Sequence, residues 1–217
     1  MIWLLLLIPI VMIGKLLLTY RVKWRTFLKK GFVPNNDQFG VYCYCGKQGR
    51  GKTYSVIEYL KSLPKNTKIY ANLKSLKGIE YTYINGFSEL LALRSEHDCV
   101  IVFDEIFTAL TKTSKMTNEV LDFLSQMRKR RIIFITTAQE WLEINITLRR
   151  YCRYQIECNM RGFFGIIGIL FKSFYDAEKL TFDKESMDYT APLTQMTISK
   201  CNLEVANSYD TYEQIKT

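Results

Sequence analysis

Gly46-Lys-Gln-Gly-Arg-Gly51-Lys52-Thr53 decides the reading of this chain. It fits G-x-x-x-x-G-K-[ST], a loop that cradles phosphate groups. A triphosphate has to be wrapped by several backbone N–H groups at once. The chain must therefore take positive φ and approach the anion with no Cβ in the way, hence Gly46, Gly49 and Gly51. Lys47, Gln48 and Arg50 complete the wrap. Lys52 brings a compact cation to the β- and γ-phosphates of ATP, and Thr53 offers a hydroxyl to Mg²⁺. The flanks agree. Gly40-Val-Tyr-Cys-Tyr-Cys45 is apolar and aromatic, as a buried strand is. Tyr54-Ser-Val-Ile-Glu-Tyr-Leu60 carries Val56, Ile57 and Leu60 at helical spacing. Strand, glycine loop and helix follow in the required order, and the helix turns its positive N-terminus to the phosphates.

A second motif supports the first. Cys99-Val-Ile-Val-Phe-Asp104-Glu105 is an apolar run ending in two carboxylates. Continuous apolar runs suit parallel strands covered on both faces, and ligands bind at the carboxyl ends of such strands. Asp104 is therefore expected to hold Mg²⁺ near Thr53, directly or through water, and Glu105 to polarise the attacking water. A third strand, Arg131-Ile-Ile-Phe-Ile-Thr-Thr137, leads to Gln139. Either Gln139 or Thr137 is a candidate sensor of the γ-phosphate. Thr137 has a second reading, as the cap of a helix starting near Glu140.

The 217 residues suffice for one α/β domain. The formal net charge of +9 points to a polyanionic partner, nucleic acid or anionic lipid. Six cysteines contain no C-x-x-C pair and His97 is the sole histidine, which disfavours zinc. Cys43, Cys45 and Cys99 fall in expected core strands and read as reduced, buried thiols.

Residues 2–14 are wholly apolar. Lys15 interrupts, and 16–20 continue to a length close to the roughly 20 residues that cross a bilayer. A signal peptide needs a basic n-region and a small-residue cleavage site, and neither is visible. A buried core helix remains open. The favoured reading is a single transmembrane helix, with Arg21, Lys23, Arg25, Lys29 and Lys30 placing the following domain in the cytoplasm. The expected layout is an anchor over 1–20, a basic flank and linker over 21–38, the domain over 39–205 and a polar tail over 206–217.

Further along, strands are expected at Thr67–Asn72, at Thr194–Lys200 and, as an edge, at Tyr151–Cys158. Short helices are expected at 88–93 and 118–127, and an exposed loop at 106–116. Arg128-Lys-Arg-Arg131 is either a helix end satisfying its dipole or a contact for phosphates. Arg149 and Arg150 raise the same question, and either is a candidate arginine finger for a neighbouring subunit. The glycine-rich apolar patch Arg161–Lys172 reads as a hairpin at a subunit interface or as a loop dipping into a membrane.

Gly46–Thr53, Asp104-Glu105 and Ile132–Gln139 together resemble the FtsK/HerA superfamily. Within it the chain looks most like the small viral branch: tectivirus-type genome-packaging ATPases and Zot-like phage assembly ATPases. Phe134-Ile-Thr-Thr-Ala-Gln-Glu-Trp141 with Ile146-Thr-Leu-Arg149-Arg150 carries the Zot-like part, and Ser208–Glu213 is similar to tails of such ATPases. Zot-like proteins usually carry the membrane segment after the ATPase domain, whereas here it precedes it, which favours the packaging branch. The resemblance implies a P-loop α/β fold with a mostly parallel sheet and helices on both faces. It also implies a ring of copies, a hexamer by expectation, that binds ATP and Mg²⁺ and moves double-stranded DNA. Lys52, Glu105, Gln139, Arg149 and Arg150 are then the catalytic candidates. Capsid or coat proteins are further expected partners, and a cytoplasmic or virion-membrane location follows. Extrusion of a filamentous phage is the near alternative, and a nucleotide-binding membrane scaffold the distant one.

Overall fold

A computed structural model describes residues 39–209 except 112, 114, 164–166 and 186. The expected anchor over 1–20, the flank over 21–38, the tail beyond 209 and the tip of the apolar patch lie outside the described residues. No helix among the described residues is long and apolar enough to cross a membrane.

The chain begins with β1 (Gly40–Cys45) and α1 (Lys52–Ser62), the pair the glycine loop calls for. It continues through β2 (Lys68–Ala71), β3 (Thr82–Tyr83), α2 (Phe87–Ala92), β4 (Cys99–Phe103), α3 (Asn118–Gln126) and β5 (Ile133–Ala138). Next come α4 (Ile146–Tyr151), β6 (Cys152–Phe163) and β7 (Ile167–Asp176). A small hairpin, β8 (Thr181–Asp183) with β9 (Asp188–Thr190), precedes β10 (Leu193–Lys200) and α5 (Leu203–Ala206). The main sheet has the order β10-β7-β6-β1-β5-β4-β2-β3. β3, β2, β4, β5, β1 and β6 are parallel; β7 and β10 add antiparallel at one side.

Period-two alternation builds two apolar layers. Val41, Cys43, Ile101 and Phe134 face α2, α3 and α4, and pack on Leu90, Val120, Phe123 and Leu148. Tyr42, Tyr44, Val102 and Ile135 face the other way onto Val56, Ile57 and Leu60 of α1, with Val205 of α5. Helices therefore cover both faces of the parallel strands. Beyond β1 the rule changes. On β6, Ile156 and Cys158 stay buried toward α1, while the alternate residue Glu157 is exposed and its neighbours at 153, 155 and 159 are partly exposed. One covered and one wet face is the habit of antiparallel sheet.

Several expectations need correction. Tyr151–Cys158 is not an edge strand: β6 runs on to Phe163 and is enclosed by β1 and β7, leaving β10 outermost. The alternation that suggests an edge reports a face open to water, not an open side. The stretch after Glu105 is only partly a loop, because Ile106 and Leu110 are buried and Thr111 pairs with Ile144. The domain also extends past residue 205: Ser208 is buried, and its carbonyl accepts from the Lys77 N–H at 2.8 Å. The apolar stretch after Arg161 does form the antiparallel hairpin β6–β7.

Candidate nucleotide site

β1 ends at Cys45 and the chain turns back over the end of the sheet. Gly46 has φ 149° and Gly51 φ 85°, in the region that favours glycine. Space is short as well, against backbone at Gly46 and against the movable Met160 side chain at Gly51. A Cβ on Gly46 would come within 2.7 Å of the Cys158 carbonyl oxygen, and one on Gly51 within 2.8 Å of the Met160 side chain. β6 therefore backs the loop, because it continues past the end of β1. Met160 donates its N–H to the Arg50 carbonyl at 3.0 Å, and Arg50 Nη1 donates to Asn159 Oδ1 at 3.0 Å. The Gly46 N–H is shared between the Ala138 and Gln139 carbonyls, at 3.2 and 3.1 Å.

α1 starts at Lys52 with no side-chain cap and no acidic residue in its first turn. The N–H groups of Gly49, Gly51, Lys52 and Thr53 have no backbone partner among the described residues. An uncapped helix end beneath a loop of unpaired N–H groups fits an anion. Lys47, Gln48, Gly49 and Arg50 are exposed along this rim. Lys52 Nζ donates to the Gly46 carbonyl at 2.6 Å and to that of Lys47 at 3.4 Å, so its ammonium lies across the loop.

The expected carboxylates stand where the motif requires. Thr53 Oγ1 donates to Asp104 Oδ2 at 3.4 Å. Asp104 is 5% exposed, and burial pushes its carboxyl above the usual carboxylate range. Hydroxyl donors from Thr137 and Thr53 and the nearby Lys52 charge oppose that rise without cancelling it. A buried carboxylate held mainly by hydroxyls fits a divalent cation, which would stabilise its charged form. Glu105 follows in the left-handed conformation, φ 56° and ψ 46°. That geometry is costly for a residue with a side chain and is commonest where function demands it. Among the described residues no group of three or more His, Cys, Asp and Glu side chains is placed to hold a metal by itself.

Thr137 joins the two acids. Its hydroxyl donates to Asp104 Oδ1 and accepts the Glu105 N–H at 2.9 Å. It lies within β5 and caps no helix, which corrects that alternative. Gln139 is exposed just past the strand and touches the loop through its carbonyl.

The two arginines separate. Arg149 is 1% exposed; it donates to Asp188 Oδ1 at 2.9 Å and to the Tyr189 carbonyl at 3.2 Å. A charge buried and paired inside its own subunit is not available to a neighbour, so Arg149 is removed as a finger candidate. Arg150 is exposed, with its guanidinium 5.5 Å from the Tyr189 ring centre. α4 leads into Cys152, which pairs with Val41 at the start of β1. Arg150 thus sits about 13 Å of strand or more from its own phosphate loop.

Sequence reasoning missed Asn72. It is buried just past β2, accepts the Asp104 N–H at 2.7 Å and donates to the Asp104 carbonyl at 3.2 Å. The side chain continues the ladder where β2 has ended, and so fixes the backbone that presents both acids. The signal was available: a polar residue at the tip of a strand beside Asp104, the argument already applied to Gln139.

The profile of the AAA family, ATPases associated with various cellular activities, matches residues 42–161, which is more than half of the chain. No curated protein matches by sequence. Among solved structures, the N-terminal domain of zonular occludens toxin from Neisseria meningitidis superposes with TM-score 0.56 at 15% identity, over 80% of this chain and 100% of that one. The genome packaging NTPase B204 from Sulfolobus turreted icosahedral virus 2, in complex with ATP-gammaS, superposes with TM-score 0.50 at 13% identity, over 74% of this chain and 100% of that one. At these identities the likeness is one of fold. Both folds belong to the two kinds of protein that the sequence resembles.

Proposed function

We propose that this chain, which belongs to the AAA family of ATPases, is a membrane-anchored motor that uses ATP to move double-stranded DNA into a viral procapsid. The observation that carries the chemistry is the convergence of the uncapped α1 N-terminus, Lys52, Thr53 and Asp104 at one end of the sheet. The net charge of +9 supports a polyanionic cargo, and the likeness in fold to a packaging NTPase supports the kind of motor.

The residues divide the work. Backbone N–H groups of 46–53 bind the phosphates, and Lys52 shifts its ammonium from backbone carbonyls to phosphate oxygens. Thr53 and Asp104 would hold Mg²⁺, which would shield phosphate charge as a Lewis acid. Glu105 takes up the proton of the attacking water. Thr137 and Asn72 keep both carboxylates aimed, and the exposed Gln139 side chain senses the γ-phosphate. Arg150 reaches the nucleotide of the next copy in a ring and stabilises the charge that develops in transfer. The apolar segment over 2–20 anchors the chain and the basic flank keeps the ATPase domain on the side that holds ATP.

The test is ATP turnover by the detergent-solubilised full chain, with and without double-stranded DNA, beside Lys52→Ala and Glu105→Gln. Turnover stimulated by DNA, lost by on the order of 10²-fold or more in Lys52→Ala, is the expected result. Glu105→Gln should bind ATP and fail to cleave it. Turnover in Lys52→Ala equal to that of the parent would refute the assignment. A second reading keeps the enzyme and changes the cargo to filamentous phage assembly, and the fold shared with the toxin domain favours it. Turnover indifferent to DNA would support that reading. Nucleotide binding without any turnover would leave a membrane scaffold.

A further inference from the structure

The parallel strands start at one end of the sheet and deliver the nucleotide site at the other. Residues paired at the starting end are Gly40 with Ile133, Val41 with Cys152, and Lys68 with Cys99. The turn between α3 and β5, residues 128–131, lies at this end, and it meets the point where the chain enters the fold. The Arg131 guanidinium sits 5.3 Å from the Phe39 ring centre. Arg153 Nη1 donates to the Phe39 carbonyl at 3.3 Å, and side-chain atoms of Arg153 and Arg128 surround Gly40.

This end is unevenly charged. Arg128 and Arg153 share the single carboxylate of Glu178, and Arg131 pairs with Asp98 at 2.9 Å. Lys129 and Arg130 have no side-chain partner among the described residues. Five cations thus stand around two carboxylates. The chain arrives here from an apolar segment that ends near Tyr20, through 18 residues that contain five more cations: Arg21, Lys23, Arg25, Lys29 and Lys30. Eighteen residues span roughly 60 Å at most, so whatever surface takes up the apolar segment is tethered within that reach of the basic turn.

We propose that the strand-start end, centred on Lys129 and Arg130 beside Phe39, is a docking surface for the anionic headgroups of a bilayer, and that the nucleotide loop consequently faces away from the membrane. The proposal rests on the anchor reading above. Lipid is favoured over DNA because the chain's own apolar segment brings a bilayer to this end, whereas nothing at this end holds DNA near it. Each Lys or Arg brought to an anionic surface adds about 1 kcal/mol of attraction, which falls off within a Debye length. Two unpaired side chains, with two arginines that share the Glu178 carboxylate, suffice to orient a domain that is already tethered.

The experiment uses the full chain reconstituted in phosphatidylcholine vesicles with and without phosphatidylglycerol. A photo-crosslinking residue replaces His97, exposed at the strand-start end, or Glu140, exposed at the nucleotide end. The expected result is lipid labelling from position 97 and not from 140. Labelling should drop by about tenfold in Lys129→Gln with Arg130→Gln, without phosphatidylglycerol, or at high salt. Vesicle flotation reads the anchor separately and should be unchanged by the double substitution. Equal labelling from both positions, or labelling at 97 that ignores the double substitution, overturns the docking surface while leaving the anchor. Labelling unchanged but DNA retention lost would reassign the turn to nucleic acid. A chain that fails to float overturns both readings.

Discussion

The two halves of the sheet bury polar groups in different ways. At the carboxyl end of the parallel strands the buried polar side chains are neutral, apart from Asp104. Asn72 ties β2 to Asp104, Thr136 donates to the Phe103 carbonyl at 2.9 Å, and Thr137 holds both acids. On the added arm and at α4 the buried charges are held as ion pairs. Lys172, 2% exposed, meets Glu58 at 2.8 Å, and Arg149 meets Asp188. The difference separates a site from a scaffold. Charge that a ligand is to answer is left under-compensated, as at Asp104. Charge answered within the chain does structural work, joining α1 to β7 and α4 to the small hairpin. The arm also buries the hydroxyls of Thr197 and Ser199 without a partner among the described residues.

The adjacent arginines test this contrast most severely. Arg150→Ala should lower ATP turnover of the assembled protein by about 10³-fold or more with an unchanged melting temperature. Unchanged turnover would remove the contribution of a neighbour. Arg149→Ala should do the opposite. Removing the buried guanidinium breaks its pair with Asp188 and its bond to the Tyr189 carbonyl, at a cost of roughly 3–5 kcal/mol, read as a melting temperature lower by about 10 °C. Loss of turnover from a fully folded Arg149→Ala would return it to the site.

The second ion pair gives a smaller effect. Lys172→Met alone should destabilise, while Lys172→Met with Glu58→Leu should recover most of the loss, because two apolar groups replace a pair whose desolvation offsets its attraction. A double variant as unstable as the single one would show that the pair is needed for more than its own satisfaction. The smallest effect on stability concerns Asp104. Its folded carboxyl titrates above the ordinary range, so the ligand-free fold binds a proton more tightly than the unfolded chain does. The contribution of Asp104 to stability should therefore be fully present at low pH and decline as pH rises from the ordinary carboxylate range through the raised value. Asp104→Asn should flatten that slope, raise the melting temperature slightly at neutral pH and abolish turnover. A steeper slope in the variant would contradict the sign.

Much of the site was legible because its parts are local. The loop of 46–53 follows a strand and opens a helix, and the run ending at Asp104-Glu105 is continuous. A glycine pattern needs only its own backbone to be read. Thr137 was legible as a polar strand tip, but its double hydrogen bond depends on β5 lying beside β4. Asn72 was overlooked for the same reason, since its partner is 32 residues away. Local pattern misjudged β6, where alternation correctly reported one wet face and said nothing about which strands lie on either side. Tyr209, half-buried against the α1 face, belongs to a stretch that reads as polar tail until the Lys77–Ser208 contact is seen.

By itself, then, the sequence determined the loop that binds phosphate, the two carboxylates that follow, the α/β class and the apolar segment ahead of the domain. Each of these rests on near-neighbour geometry, on glycine φ or on a run of one polarity. Tertiary structure alone decided that Arg149 is buried while Arg150 is exposed, that β10 and not β6 forms the edge, and that the basic turn meets Phe39 at the end opposite the loop. Those outcomes depend on which strands pair and in what register, and pairing is fixed by packing between residues far apart in the chain.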